Sequence, residues 1–396
     1  MTEARILIAG GGIGGLTAAL CLAEKGFVVS VFEKAAELSE VGAGIQLSPN
    51  CTRVLHYLGL ESALRAFAFL PVGTQFRHWR SGKVINESPL GDDVVSRYGM
   101  PYYHIHRADL LSVLADAAHA SANISVHTGS RVTSFTQNDS QVQIQTESNG
   151  HSTSHSGSAL FGADGIHSVI RAQLWGAQSA CFTGNIAWRL TVPSARLPEG
   201  LIRPMSTAWW GPGKHFVHYF VRTGSLVNCV CVVEKKGWEV ESWTERGDSS
   251  ELEEDFAGWH DDVQQLIQNG DAHSLYKWAL FDRAPMRRWG RGRVSLLGDA
   301  CHPTLPFMAQ GAAMAIEDGA VLANCLSQSN DITAAMDRYE SLRRERTAGI
   351  QQGSRRNARV FHLSGVKAWV RNRAVRVAGK HARDTLFRYN ALEAGK

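Results

Sequence analysis

Hydrophobic and polar positions follow strand-like and helix-like patterns from the first residues of the chain. Arg5 to Ala9 form a short β-rich run, Leu16 to Lys25 repeat apolar residues at helical spacing, and Val28 to Phe32 form a second β-rich run. Glycines separate the first run from the helical segment. The pattern predicts a strand, a crossover helix and a parallel strand at the start of the chain.

Later segments repeat part of this pattern and then depart from it. Leu160 to Ala163 and Val294 to Leu297 are apolar runs that each lead into a Gly and Asp turn, so we expect both strands in the same sheet. Between them, Gly184 to about Arg283 is rich in Trp, Val and Tyr. Its alternation, with His215, Val217, Tyr219 and Val221 at every second position, predicts an antiparallel sheet in a second lobe.

Three further segments are mainly polar. Asn149 to Ser158 is predicted to be a surface hairpin loop, and Ser249 to Asn269 is predicted to be helical. Ala335 to Arg359 carries a dense set of charges. We expect this last stretch to belong to a solvated C-terminal helical region, because runs of charge usually face water.

Composition places the chain among ordinary globular proteins. The 396 residues are 44% hydrophobic and 20% charged, with a formal net charge of +4. This length suits two or three lobes and can enclose a large cofactor. The mild basic excess does not indicate nucleic acid, but it favours anionic small molecules if the basic residues converge on a cleft.

The cysteines and the first residues of the chain indicate the cellular compartment that we expect for the protein. The seven cysteines are scattered without a CxxC pair, so neither a disulfide framework nor a zinc site is predicted. Met1 to Arg5 lack the basic leader of a secretion signal, and no run approaches about 18 uninterrupted apolar residues. We therefore expect a cytoplasmic protein that does not span a membrane.

The glycines after the first run form a dinucleotide-binding fingerprint. Gly10, Gly12 and Gly15 fit G-x-G-x-x-G between a predicted strand and a predicted helix, and Glu33 ends the next strand. The first Gly permits a tight turn, the second lets backbone N–H groups approach a pyrophosphate, and the third allows close helix packing. Glu33 is positioned to accept hydrogen bonds from a ribose. The fingerprint alone does not separate FAD from NAD.

Two further Asp-containing turns extend the pattern. The sequences GADG at 162–165 and GDACHP at 298–303 each place an Asp just after a strand, where it can bind hydroxyls or cap a helix. Together with the fingerprint, and with EVGAGIQLSP at 40–49, HRADL at 106–110 and PTLPFMAQGAAMAIED at 303–318, they resemble the class A flavoprotein monooxygenases. The similarity covers Ile6 to about Arg346, and within this family it is closest to the salicylate hydroxylase, 3-hydroxybenzoate 6-hydroxylase and 6-hydroxynicotinate 3-monooxygenase group.

The resemblance implies an α/β fold with a Rossmann-like FAD-binding lobe, an interleaved and mainly antiparallel β-sheet substrate lobe, and a C-terminal helical region. We expect residues 1–70, 105–175 and 286–350 in the FAD-binding lobe, 71–104 and 176–285 in the substrate lobe, and 351–396 in the helical region. Carried over position by position, the resemblance also implies a set of cofactor-binding residues: Gly10, Gly12, Gly14, Gly15, Glu33, Lys34, Arg107, Val132, Asp164, Asp299, Gly311 and Ala312.

The same resemblance implies the reaction. Members of the family hold FAD, take electrons from NADH or NADPH during a transient visit, and use O2 to form a flavin C4a-hydroperoxide that a phenolate attacks. No second G-x-G-x-x-G precedes a strand and helix pair in this sequence, which agrees with a nicotinamide cofactor that has no lobe of its own. The site needs a base or acceptor for the phenol, a role that suits an imidazole.

His215 and Tyr219 are the leading candidates for catalysis and substrate binding. Four residues apart in a strand, they lie on one face roughly 13 Å from each other, and they match family residues that contact substrate; His218 lies on the opposite face. Gln46 is a further catalytic and substrate-binding candidate, and Pro306 a further substrate-binding one. Gln46 stands where hydroxynicotinate hydroxylases have His, and Pro306 stands where the hydroxybenzoate 6-hydroxylases tend to have Gln.

Several questions stay open. Arg189 suits either a substrate carboxylate or a structural role, and the ring substrate, the position of hydroxylation and the choice of NADH or NADPH are undetermined. We expect a small aromatic acid related to salicylate or hydroxybenzoate, no metal and, from the family, a homodimer. Cys301 with His302, and the HxH pair at 104 and 106, offer a weak thiol or metal alternative. Flavin chemistry on an apolar substrate and a non-catalytic, flavin-binding regulator also stay open as functions.

Overall fold

A computed structural model describes residues 5–38, 43–235, 237, 245–378 and 381–396 of the chain. The described residues form seventeen strands: β1 Arg5–Ala9, β2 Val28–Phe32, β3 Gly44–Leu47, β4 Gly73–His78, β5 Val84–Pro89, β6 Tyr103–His106, β7 Ile124–His127, β8 Arg131–Gln137, β9 Val142–Ser148, β10 His151–Gly157, β11 Ala159–Gly162, β12 Cys181–Pro193, β13 Met205–Gly211, β14 Lys214–Val221, β15 Leu226–Glu234, β16 Tyr276–Asp282 and β17 Val294–Leu296.

The same residues form twelve α-helices: α1 Ile13–Ala23, α2 Pro49–Tyr57, α3 Glu61–Phe67, α4 Asp92–Tyr98, α5 Arg107–Ala120, α6 Val169–Trp175, α7 Ser249–Asp255, α8 Asp261–Gln268, α9 Gly311–Ser327, α10 Ile332–Phe361, α11 Gly365–Ala378 and α12 His381–Phe387. Short 3₁₀ turns join several of these elements, among them Gly298–Ala300 and Pro306–Met308.

A five-stranded parallel sheet holds the first half of the fold together. Its order is β17-β11-β1-β2-β7, so the strands that begin at Arg5, Val28, Ala159 and Val294 share one sheet, as their apolar runs predict. Helices α1 and α9 pack tightly against each other, since a Cβ at Gly319 would lie only 2.9 Å from the backbone of Ala18. The predicted βαβ start of the chain is confirmed.

A seven-stranded sheet forms the second half of the fold. Its order is β16-β12-β15-β14-β13-β4-β5, and every neighbouring pair is antiparallel except β13 with β4. Aromatic side chains, including Trp188, Trp209 and Phe216, cover one face together with Phe256 and Trp259 from the α7 and α8 region. The opposite face of this sheet therefore remains available to form a cavity with the parallel-sheet half.

The polar segment from Asn149 to Ser158 is a strand, so the predicted loop is wrong over most of its length. Only Asn149 and Gly150 form the turn, while His151–Gly157 pairs in register with β9. Most of its side chains are exposed, so the segment lacks the alternation of a half-buried strand. Backbone hydrogen bonds to β9 hold it in a separate three-stranded sheet of order β10-β9-β8.

The C-terminal region is helical, but its charges are not all solvated. Arg343 on α10 is fully buried, and its Nε lies 2.7 Å from an oxygen of Asp318 on α9. Another guanidinium nitrogen of Arg343 lies 2.7 Å from Glu317. The expectation of a solvated charged helix is wrong at this position, because two buried carboxylates on the facing helix compensate the cation.

The predicted fold class, with parallel and antiparallel sheets and C-terminal helices, is confirmed. Among the described residues, no helix combines the length and the apolar composition that crossing a membrane requires.

Candidate active site

A cavity of about 420 Å³ opens where β1, β2 and β11 end. Eleven of the twelve predicted cofactor residues line it: Gly10, Gly12, Gly14, Glu33, Lys34, Arg107, Val132, Asp164, Asp299, Gly311 and Ala312. These residues come from seven separate stretches of the chain. The fold thus brings the dispersed motifs together in one place, at the carboxyl edge of a parallel sheet where dinucleotides bind.

Among the glycines of the loop, only Gly12 has open space at the position where a Cβ would lie. Gly10 has φ of +108°, and a Cβ there would lie 2.4 Å from the carbonyl oxygen of Ala163. A Cβ at Gly15 would lie 2.0 Å from the carbonyl oxygen of Gly10, so Gly15 serves packing and does not line the cavity. A Cβ at Gly12 would meet nothing within 4 Å. This open space fits a pyrophosphate lying against the backbone.

The start of α1 offers the electrostatics that a pyrophosphate requires. Gly12 is the N-cap residue, and no side chain caps the first turn. The first N–H groups of a helix have no partner within the helix and carry the positive end of its dipole. A diphosphate placed there satisfies these donors. The residues of this cavity therefore fit FAD.

Glu33 and Asp164 are held in place by backbone N–H groups. The Glu33 carboxylate accepts hydrogen bonds from the N–H of Gly11 at 2.7 Å and of Ala35 at 2.8 Å. Asp164 accepts from the N–H of Val169 at 2.8 Å, which begins α6, so the helix-cap interpretation of this Asp is correct. Burial raises the pKa of Asp164. Both side chains also line the cavity, and their role toward a cofactor remains a prediction.

A second cavity of about 280 Å³ adjoins the first. The two cavities share Arg107, Asp299, Gly311 and Ala312 among their lining residues. Burial lowers the pKa of Arg107, and the negative charge of Asp299 opposes this effect. Gly311 and Ala312 begin α9, whose first turn has no side-chain cap. The junction therefore combines a cation, an anion and unpartnered N–H groups.

One face of the antiparallel sheet forms a wall of the second cavity. His215, Val217 and Tyr219 line it from β14, as their alternation predicts. Val217 pairs with Val230 on β15, and Val230 pairs with Arg189 on β12, so a row of directly opposed residues brings Arg189 to the same face. His218 faces the other way, toward Trp209.

His215 is held by a second histidine that the sequence gives no reason to expect. Its Nδ1 lies 2.9 Å from Nε2 of His362, and Nδ1 of His362 lies 2.8 Å from a carboxylate oxygen of Glu234. Burial lowers the pKa of His215 well below its usual value, and the neighbouring His362 adds to this effect. His215 is therefore neutral near pH 7. Nε2 is then the ring nitrogen that remains for a ligand in the cavity.

Tyr219 packs against β3 and β6. Its ring centroid lies 4.5 Å from that of His104. A Cβ at Gly44 would come within 2.7 Å of the Tyr219 ring, and Gly44 itself donates an N–H to the Asn228 side chain at 2.7 Å. Burial raises the pKa of Tyr219, and the positive charge of Arg189 partly opposes this effect. The phenol of Tyr219 thus stays protonated and can donate a hydrogen bond.

Gln46 and Pro306 also line the second cavity. The Gln46 amide donates to the hydroxyl of Ser206 at 3.0 Å and accepts from the hydroxyl of Tyr102 at 2.6 Å, which fixes its orientation. Pro306 opens the short turn Pro306–Met308. Of the segment 40–49 that resembles a flavin contact, residues 40–42 lie outside the described residues, while Gly44 reaches this cavity with its two following neighbours.

Arg189 brings a positive charge into an aromatic wall. Its guanidinium lies 4.6 Å from the ring centroid of Trp278, within the range of a cation–π interaction. Burial, together with the positive charge of Arg107, lowers the pKa of Arg189 to about 9. The guanidinium therefore stays charged at neutral pH. A carboxylate in this cavity would relieve the repulsion between the two cations.

The histidines and the cysteine considered for a thiol or metal site have other surroundings. His104 packs against Tyr219, and His302 lies 2.6 Å from Asp318 inside the core. Burial raises the pKa of Cys301 well above its usual value, so its thiol is a poor nucleophile. Within the part of the chain that the structure describes, no group of three His, Cys, Asp or Glu side chains is arranged to hold a metal.

Comparisons with known proteins agree with this geometry. Residues 3–356 match the sequence model of a family described as FAD binding domain. The chain is 38% identical over 370 residues to a 3-hydroxybenzoate 6-hydroxylase of Polaromonas naphthalenivorans strain CJ2, covering 93% of this chain and 90% of that protein. It is 37% identical over 361 residues to a 6-hydroxynicotinate 3-monooxygenase of Pseudomonas fluorescens, covering 89% and 91% respectively.

A solved structure shares the whole architecture. The crystal structure of Klebsiella pneumoniae HpxO complexed with FAD and uric acid matches with a TM-score of 0.87 at 27% identity, covering 99% of this chain and 97% of that one. These comparisons and the cavity at the carboxyl edge of the parallel sheet support the same family assignment. The chain belongs to the FAD binding domain family and, within it, to the FAD-dependent aromatic-ring monooxygenases.

Proposed function

We propose that the protein hydroxylates a small phenolic carboxylic acid, related to salicylate or a hydroxybenzoate, with NADH or NADPH and O2. The observation that carries this proposal is the second cavity, which adjoins the dinucleotide cavity and combines a hydrogen-bond acceptor, a phenol and a cation. FAD, when bound, supplies the electron transfer from the nicotinamide and the activation of oxygen. The protein's own residues must bind the ring, orient it and manage its proton.

The size of the cavity supports a single-ring substrate. Its volume of about 280 Å³ lies just below the range of roughly 300–1,000 Å³ that is usual for drug-sized ligands. Apolar walls come from Val217, Trp278 and Leu305. A flat aromatic ring would meet these apolar side chains, and its polar substituents would meet only a few polar ones.

The charge of the cavity supports an acid. We propose that Arg189 binds the substrate carboxylate, because its charged guanidinium lies on the cavity wall and is repelled by Arg107. A hydrogen bond between two charged groups is among the strongest that a buried site can offer. The same pair of cations disfavours the alternative of a purely apolar substrate.

The part of the sheet face that β14 contributes supports a phenol. We propose that His215 accepts the phenolic proton through Nε2, while Tyr219 orients the ring with its protonated hydroxyl. Gln46, whose amide is fixed by Ser206 and Tyr102, is proposed to contact the substrate or the flavin edge. Pro306 is proposed to contact the substrate from the facing turn. A more electron-rich ring is more readily attacked by an electrophilic oxygen, so removal of this proton promotes hydroxylation.

The twelve predicted cofactor residues keep their proposed roles toward FAD, and Gly15 acts through packing. We also propose the division into an FAD-binding lobe and an interleaved substrate lobe. We place the start of the C-terminal region after Phe361, because α10 continues without interruption across residue 351. A domain boundary normally falls in a linker rather than inside a helix.

The experiment that tests this proposal measures NADH and NADPH oxidation by the purified flavoprotein across salicylate, the hydroxybenzoates and 6-hydroxynicotinate. We expect one or more acids to stimulate oxidation and to gain a hydroxyl group, detected by mass spectrometry. His215→Ala should retain FAD and lose about a hundredfold or more in coupled hydroxylation. His218→Ala is the matched control on the opposite sheet face, and it should keep wild-type turnover. A flavoprotein that hydroxylates none of these acids would overturn the substrate assignment.

A further inference from the structure

A chain of hydrogen bonds leads from the second cavity to the protein surface. It begins at His215 on the cavity wall, continues through buried His362 at the end of α10, and ends at Glu234 at the end of β15. The Glu234 side chain is 55% exposed. The chain therefore connects a buried nitrogen to bulk water through one intermediate side chain.

The backbone around these residues holds them together. The turn between β13 and β14 contains Gly213, whose N–H donates to the carbonyl oxygen of His362 at 3.1 Å. The carbonyl oxygen of Gly213 accepts the N–H of Glu234 at 2.9 Å. One residue thus anchors the backbones of both His362 and Glu234. Aromatic contacts from Phe307 and Phe361 enclose the His215 ring.

The hydrogen-bonding capacities of these groups fix the direction of the chain. An ionised carboxylate only accepts, so His362 must donate its Nδ1–H to Glu234. A neutral imidazole carries one proton, so Nε2 of His362 must accept, and His215 must donate its Nδ1–H. Nε2 of His215 is then left with a lone pair toward the cavity. This is the tautomer that a base for a phenol requires.

We infer that His362 and Glu234 form a proton relay that carries the proton of a phenolic substrate from His215 to solvent. The inference rests on the proposed function of the cavity. The phenol O–H bond breaks as Nε2 of His215 gains the proton, the Nδ1 proton of His215 passes to Nε2 of His362, and the Nδ1 proton of His362 passes to Glu234 and then to water. The same steps in reverse return a proton to the product phenol and restore the starting tautomers.

The burial of His215 and His362 explains why the proton must leave the site. Because burial lowers the pKa of His215 well below its usual value, the imidazolium form is unfavourable and His215 alone is a poor acceptor. Burial also lowers the pKa of His362, as does the positive charge of Arg371 on α11, while the hydrogen bond to Glu234 opposes both. Export to Glu234 removes the proton from this buried pair and leaves both histidines neutral beside a bound phenolate.

The test follows proton release when a phenolic acid binds to the oxidised flavoprotein. The probe is 3-hydroxybenzoate, or the acid with the highest coupled turnover in the panel, mixed rapidly in weak buffer with a pH-indicator dye. We expect the wild type to release a proton on binding. His362→Gln can keep a hydrogen bond to His215 but cannot relay a proton, so release should slow by about a hundredfold with FAD content and substrate affinity preserved.

Two further variants and a control separate a proton relay from structural support. His362→Ala should show the same slow release, and added imidazole should restore much of the rate. Glu234→Gln should also slow release, whereas Glu253→Gln, at an exposed position on α7, should match the wild type. Release at the wild-type rate in His362→Gln, or hydroxylation by a wild type that releases no proton on binding, would overturn the relay. Proton release that depends on His362 without any hydroxylated product would support the relay and overturn the proposed function.

Discussion

Replacing Gly12 with Ala should weaken FAD binding strongly without harming the fold. Gly12 has φ of −75°, a value that Ala adopts readily, and a Cβ at this position meets no protein atom within 4 Å. The free energy of unfolding of the cofactor-free protein should therefore change by no more than about 1 kcal/mol. The added methyl group instead projects into the cavity, where it keeps a pyrophosphate away from the start of α1.

The loss of FAD affinity follows from the donors that this methyl group blocks. Two backbone N–H groups that can no longer reach phosphate oxygens cost about 1.5 kcal/mol each at the lower end for charged acceptors, or about 3 kcal/mol in total. This is a weakening of more than about a hundredfold in Kd. FAD fluorescence titration of the cofactor-free protein measures the Kd, and urea unfolding measures stability.

Gly15→Ala is the matched comparison. Its Cβ would lie 2.0 Å from the carbonyl oxygen of Gly10, so this variant should lose stability even without FAD. If Gly12→Ala bound FAD with wild-type affinity, the placement of the pyrophosphate at this loop would be wrong. If Gly12→Ala were as unstable as Gly15→Ala, a Cβ at Gly12 would not be free of contacts with protein atoms, which would contradict the structure of this loop.

Three other predictions concern charge. Arg189→Met should raise KM for the carboxylated substrate by about tenfold to a hundredfold, with KM for the corresponding phenol unchanged in steady-state assays; equal effects on both would refute the carboxylate role. Arg343→Met should lower the free energy of unfolding in urea by about 3–5 kcal/mol, because it removes the guanidinium that compensates the buried carboxylates of Glu317 and Asp318, and a change below about 1 kcal/mol would contradict this reasoning. Burial lowers the pKa of His104 and of His218 to about 3. Only the unfolded chain therefore takes up their protons, and the free energy of unfolding should fall as pH drops from 7.5 to 5.5, by about 1.4 kcal/mol for each histidine. His218→Phe should make this pH dependence shallower, and an unchanged slope would argue against a buried neutral imidazole.

Local sequence patterns were sufficient for four of the five strands of the parallel sheet and for its motifs, whereas β7 at Ile124–His127 was not predicted. The strands at Arg5 and Val28 are short apolar runs, and the glycines beside them indicate tight turns. Both strands can therefore be recognised from adjacent residues alone. Asp164 and Asp299 also follow their strands directly. Because parallel strands end at the same edge of a sheet, motifs far apart in the chain were predictable as one cavity.

The partners of His215 could not be predicted in this way. His362 lies 147 residues further along the chain, and it reaches His215 only because the end of α10 packs against the turn at Gly213. No period or motif marks this contact. His362 also lies beyond Arg346, where the resemblance to the monooxygenases ends, so the family pattern gave no indication of it either.

Arg343 and the strand His151–Gly157 show two other limits. Charge density along α10 does not reveal which side chain faces α9, and only the fold brings Arg343 against Asp318. The strand has mostly exposed side chains, so hydrophobic alternation is absent and backbone pairing alone defines it. In both cases, the information lies in long-range packing rather than in the segment itself.

Labelling with oxygen-18 shows whether the new hydroxyl oxygen comes from O2. The purified flavoprotein, NAD(P)H and a hydroxybenzoate are incubated under oxygen-18 gas, and the product is analysed by mass spectrometry. We expect a hydroxylated ring that carries one labelled oxygen atom, with NAD(P)H oxidation that depends on the acid. A product without the label, or oxidation of NAD(P)H that yields only hydrogen peroxide with every acid of the panel, would contradict it.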